Sequence, residues 1–136
     1  MNINVLVLLA TIAQFILGAL WYSPLMFGKW WMQIMEATNI SKEELKKMQK
    51  AMAPFYALQF FLTLFSTFAL VNGMPFIAGL TIYNVSFLIL LGLMVPVSIS
   101  SVLWGNTKKK YWLKQIFVMI SMQITGLMLA SFILSQ

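Results

Sequence analysis

The chain has no cysteine and no histidine. The first absence removes disulfides, thiolate metal sites and redox motifs. It says nothing of compartment, because a chain embedded in lipid needs no disulfide staples. The second removes the commonest metal ligand and the commonest general base. Charge is scarce as well: charged residues make up 9% of the chain and apolar residues 61%, whereas a soluble surface needs roughly a quarter of its residues charged. The charge that exists falls into two windows, Lys29–Lys50 and Lys108–Lys114, and residues 1–28, 51–107 and 115–136 carry none. A soluble domain is excluded. The solvent this composition matches is lipid.

About 20 apolar residues cross a bilayer, so the uncharged length of this 136-residue chain fits four crossings. They are expected at about residues 3–22, 54–71, 76–104 and 111–134. The first is expected to be a retained span and not a cleaved signal peptide, since no basic n-region precedes it and no small-residue cleavage site follows it. The fold expected is an all-α integral membrane four-helix bundle, a single domain, with a short cytoplasmic amphipathic helix between spans one and two.

Local signals place the joints. Pro24 disfavours helical geometry at Ser23, and Phe27, Gly28, Lys29, Trp30 and Trp31 follow as an aromatic cluster suited to the headgroup level. Ser41 and Glu44 form a capping box, with Ile40 and Leu45 as its hydrophobic staple, so a surface helix is expected over residues 40–52. Leu45, Met48 and Met52 share one face of it. Lys42, Lys46 and Lys50 recur beside them and repel by roughly a few tenths of a kcal/mol, which an anionic lipid surface would relieve. Pro54 fits the first turn of span two. Asn72-Gly73-Met74-Pro75 reads as a breaker turn. In span three, Pro96 cannot bond the carbonyl of Gly92, so a kink is expected there. Gly105–Lys110 is a tight basic turn.

Four spans put both charged windows on one side. The first carries five Lys against three Glu and the second four Lys with no acid. Lysine excess marks the cytoplasmic side, so both termini are expected outside. The net charge of +6 is then topology plus contact with anionic headgroups through Lys42, Lys46, Lys50, Lys108, Lys109 and Lys110. Nucleic acid is not an expected partner.

The chemistry available is thin. Proton relays and coupling sites use intramembrane ionisable residues, and no span has one. Glu43 and Glu44 belong to a helix's first turn, and Glu36 reads as a solvated loop acid. No catalytic residue, metal site or cofactor is expected. The spans do hold amides: Gln14, Gln59 and Gln123 at comparable depths, and Asn84 in line with Gly92, Pro96 and Ser100. Such residues either glue helices together or line a polar cavity.

The run Leu17-Gly18-Ala19-Leu20-Trp21-Tyr22-Ser23-Pro24-Leu25-Met26-Phe27-Gly28-Lys29-Trp30-Trp31-Met32 resembles the N-terminal signature of a family of small prokaryotic membrane proteins, domain of unknown function 1761. The resemblance implies a prokaryotic inner-membrane protein of four helices and no assigned activity. It draws attention to Trp21, Tyr22, Ser23, Pro24 and Lys29, in a turn that forms a recognition surface or docks onto the third helix. The function expected is a non-enzymatic homo-oligomer or an accessory subunit of a membrane partner. The alternative is an oligomeric transporter or channel for an uncharged solute or lipid-like compound, with Gln14, Gln59, Asn84 and Gln123 along its path. An enzyme would need reactive groups from outside the chain.

Overall fold

A computed structural model of the protein describes residues 2–73, 79–103, 105 and 107–136. Its regular structure is helical throughout: α1 (Ile3–Trp21), α2 (Gly28–Ile34), α3 (Lys42–Gly73), α4 (Ile82–Ile89), a π-helical segment (Leu90–Met94), α5 (Val95–Leu103), a 3-10 turn (Lys109–Tyr111) and α6 (Trp112–Leu134). Four helical stretches, of 19, 32, 22 and 26 residues, are long and apolar enough to cross a membrane. Phe76 and Trp104 at the expected limits of span three, and Met74 and Pro75 of the breaker turn, lie outside the described residues, as does the Ser100 side chain.

Two boundaries differ from the sequence reading. The helix expected over residues 40–52 is not separate from span two, because α3 runs unbroken from Lys42 to Gly73 with Pro54 inside it. The capping box starts it as expected: the Ser41 hydroxyl accepts from the Glu44 amide at 3.2 Å, and Glu44 Oε2 accepts from the Ser41 amide at 3.0 Å. Proline's fixed φ is itself helical, and the bond it forfeits belongs to the carbonyl of exposed Lys50, which water can satisfy. At a rise of 1.5 Å per residue α3 extends about 48 Å, more than a bilayer core requires. Its lysine-bearing first turns therefore project beyond the apolar length. Met48 and Met52 of the apolar stripe are exposed.

Span three starts later than expected. Gly79 has φ +84°, outside helical geometry, and Thr81 caps α4 by accepting from the Asn84 amide at 3.3 Å. The defect expected around Gly92 and Pro96 is present as the π segment, where the Val95 amide reaches back to the Leu90 carbonyl. A glycine of poor helix propensity and a missing donor four residues later leave the i→i−4 ladder weakest there, and an inserted residue relieves it.

The packing runs through α1 and α6. They pack on each other, α3 lies on α1, and α4 and α5 lie on α6. The core forms where all four long stretches meet, at the end away from the charged windows: Leu6, Val7 and Ala10 of α1, Leu70 of α3, Ile82 and Val85 of α4, and Ala130 and Leu134 of α6. Ala10 and Ser131 are fully buried, and small residues there let the backbones approach. The hydroxyls of Ser86 and Ser131 pair at 2.7 Å across α4 and α6. Only 11% of the most apolar window of α3 is buried.

Candidate functional site

The turn between α1 and α2 is built residue by residue. Trp21, the last residue of α1, is buried, and its indole N–H donates to the Val118 carbonyl of α6 at 3.2 Å. Its ring packs on Phe27 with centroids 5.1 Å apart, and Phe27 and Trp30 both lie against Phe117 of α6. The Ser23 hydroxyl donates to the Leu20 carbonyl at 2.6 Å and accepts from the Leu25 amide at 3.3 Å. The Phe27 amide donates to the Trp21 carbonyl at 3.0 Å and the Gly28 amide to the Ser23 carbonyl at 2.9 Å. This closure forces glycine at 28, since a Cβ there would lie 2.5 Å from the Ser23 carbonyl carbon and oxygen. The turn docks on α6, the fourth long helix. Tyr22 turns away from that contact and meets Trp31 edge-on at 4.9 Å.

The two charged windows meet beside this turn. Glu36 is an exposed loop acid, as read from the sequence, and it is paired: its Oε1 and Lys108 Nζ are 2.6 Å apart. That bond holds the Glu36 carboxyl below its ordinary range and raises Lys108 above its own. Both side chains are more than half exposed, so solvent screens the pair and it orients the loop more than it stabilises the fold. Glu36 also takes φ +55°, uncommon for a residue with a Cβ. Lys114 Nζ donates to Gln33 Oε1 at 3.3 Å and sits 5.6 Å from the Trp30 ring centre. Lys109 and Lys110 lie over the Trp112 and Tyr111 rings.

Two open clefts flank this junction. One, of about 560 Å³, is lined by Gln33, Glu36, Thr38, Asn39, Tyr111 and Lys114. The other, of about 460 Å³, takes in Tyr22, Pro24, Gly28, Lys29, Met32 and Leu45, and shares Gln33 and Thr38 with the first. Lys42, Lys46 and Lys50 are exposed along the start of α3 and line neither.

The four amides do not converge. Gln14 Nε2 donates to Thr67 Oγ1 at 2.9 Å, tying α1 to α3. Gln123 Nε2 donates to Ser98 Oγ at 2.7 Å, tying α6 to α5. Among the described residues the Gln59 side chain bonds only Thr63 of its own helix, at 3.3 Å, and it is exposed. Asn84 is exposed one turn into α4. The partners Thr67 and Ser98 were invisible in sequence, because a lone hydroxyl in an apolar run bonds its own helix as readily as a neighbour. Gln115 Oε1 and Gln123 Oε1 are buried with no hydrogen-bond partner among the described residues. Among the described residues, no group of three metal-ligating side chains comes together.

A family model described as a protein of unknown function, DUF1761, matches residues 5–135. The chain belongs to this family. The match reaches well beyond the turn that carries the resemblance, covering both lysine-bearing windows and all four long helices. No curated protein and no solved structure matches the chain. DUF1761 membership thus goes with this architecture and brings no activity with it. For this DUF1761 chain the turn's residue order has a mechanical cause: indole to carbonyl, hydroxyl to carbonyl, and a glycine with no room for a Cβ.

Gly28→Ala is expected to cost about 1–3 kcal/mol through overpacking and to shift tryptophan fluorescence. Gly73→Ala, whose added Cβ meets nothing within 4 Å, should show no such clash; thermal unfolding in detergent compares the two. The Glu36–Lys108 pair gives a pH signature. Because the Glu36 pKa is lowered in the folded state, its contribution is complete above the ordinary value of 4.5 and disappears as pH falls through the lower folded value. Tryptophan fluorescence should report loosening of this junction in that acid range, and Glu36→Gln should abolish that part of the transition.

Proposed function

We propose that the protein is a multi-pass prokaryotic inner-membrane protein, non-enzymatic by itself, that works as a homo-oligomer or as an accessory subunit of a membrane partner. The observation that carries the reading is the outward face of α3. Phe61, Leu62, Phe65 and Phe68 are exposed on it, and along its edge, one turn from exposed Phe55 and Leu62, the exposed Gln59 amide has one bond to its own helix among the described residues. A glutamine amide has several hydrogen-bonding sites, and hydrocarbon satisfies none of them. A polar side chain on such a face favours helix–helix association by roughly 0.6–2 kcal/mol. A second copy brings an identical Gln59–Thr63 pair. A solute path is the weaker reading, since Gln14 and Gln123 are each engaged in tying two helices together.

The orientation proposed has both termini outside. It is supported by the lysine excess in the two windows that meet at Glu36 and Lys108, and by the uncharged residues at the other end. There Tyr83 and Ser135 share a hydrogen bond of 3.2 Å.

With no native cysteine, single substitutions report cleanly. Leu62→Cys and Ser66→Cys, exposed on one side of α3 beside Gln59, should give disulfide-linked dimers in native membranes, Phe132→Cys on α6 should not, and Gln59→Leu should lower the yield. Absence of any cross-link from α3, to itself or to another protein, sinks the proposal. For orientation, Ser135→Cys should react with an impermeant maleimide in intact cells, and Thr107→Cys only after permeabilisation. The reverse pattern would invert the topology.

A further inference from the structure

The two clefts beside the α1–α2 turn differ in character and share a wall. The first is polar: besides Lys114 and Gln33 it presents Thr38, Asn39 and Tyr111, whose side chains make no hydrogen bond among the described residues. The second is mainly apolar, walled by Pro24, Met32 and Leu45, with Lys29 at its rim. Both lie at the level of Tyr22, Trp30, Trp31, Tyr111 and Trp112, the kind of aromatic belt that marks the headgroup region of a bilayer. A polar chamber opening onto an apolar one at that depth has the shape of a molecule with a head and a tail.

Charge selects the head. Glu36, the one acid of the polar cleft, is held by Lys108 at 2.6 Å, which leaves Lys114 as its active charge. An ammonium has three donors. Lys114 spends one on Gln33 and rests against Trp30, so it is positioned with donors to spare. A small anion rich in acceptors fits, and a phosphodiester is the one that a membrane supplies joined to an apolar chain. We propose that this double cleft binds one anionic phospholipid, its phosphate at Lys114 with Tyr111 and Asn39, and an acyl chain passing Gln33 and Thr38 onto Met32 and Leu45. This differs from a diffuse lysine surface, because Lys42, Lys46 and Lys50 take no part. It stands apart from self-association, so absence of cross-links through α3 leaves it intact.

The test uses the full chain, purified in non-ionic detergent and stripped of lipid. Phosphatidylglycerol, phosphatidylcholine of the same chains, and inorganic phosphate are titrated separately, with bound lipid counted by native mass spectrometry and stability followed by melting. Wild type should retain phosphatidylglycerol in preference to phosphatidylcholine, and millimolar phosphate should not displace it. Loss of a charge-assisted contact should make Lys114→Gln bind roughly tenfold more weakly. Met32→Asp should remove the chain's contribution, while Lys46→Gln on the outer face of α3 should match wild type. Lys29→Gln, which leaves Lys114, Gln33 and Trp30 in place, should lose part of the preference and guards against a folding artefact at Lys114. The proposal is overturned if Lys114→Gln melts and binds like wild type. It is overturned equally if Lys46→Gln loses as much as Lys114→Gln, which is diffuse attraction, or if inorganic phosphate displaces the lipid, which is a free-anion site.

Discussion

One indole links the first long helix to the last. The Trp21 N–H can be buried only because the Val118 carbonyl accepts it, since a buried donor without an acceptor costs about 1–3 kcal/mol. That bond sets the depth of α1 against α6, and the turn that follows has no freedom left. Ser23 closes on Leu20, Phe27 on Trp21 and Gly28 on Ser23, so α2 must leave along α6 with Phe27 and Trp30 on Phe117. The placement of Gln33 against Lys114 and of Glu36 against Lys108 follows from that exit. The clefts exist because α2 lies there.

The molecule distributes its few polar groups in two ways. Away from the charged windows, hydroxyls and amides tie helices in pairs: Ser86 with Ser131, Gln14 with Thr67, Gln123 with Ser98. Without a hydrophobic drive between helices in lipid, these bonds and the small residues beside them are what association rests on. At the charged end, the lysines of the second window serve less as a solvated fringe than as fasteners. Lys108 holds a carboxylate, Lys109 and Lys110 cover aromatic rings, and Lys114 holds an amide. Gln59 follows neither pattern, which is why the outward face of α3 reads as unfinished.

Much of this was legible along the chain. The uncharged stretches gave the four long helices, Ser41 and Glu44 the start of α3, and Gly92 with Pro96 the irregularity that became a π segment. Those features are local, because each depends on atoms within four or five residues of one another. Pro54 misled for the same reason. A proline near the start of an apolar run marks a first turn only when nothing upstream has already nucleated helix, and here the capping box had done so. Glu36 is solvated as read, but its ion pair was not legible, because its partner Lys108 is in the other window.

The sequence by itself determined which segments are apolar enough to cross a membrane, the number of long helices and most of the joints between them, because composition and capping act at short range. It also named the turn that matters, through the order of Trp21, Tyr22, Ser23, Pro24 and Gly28. Only the tertiary structure decided what those residues hold. Hydrogen bonds and ring contacts between helices depend on axial register and rotation, to which an apolar sequence is nearly indifferent. So Trp21 found α6, the amides parted into two that join helices and two that are exposed, and the two lysine-bearing windows met beside a pair of clefts.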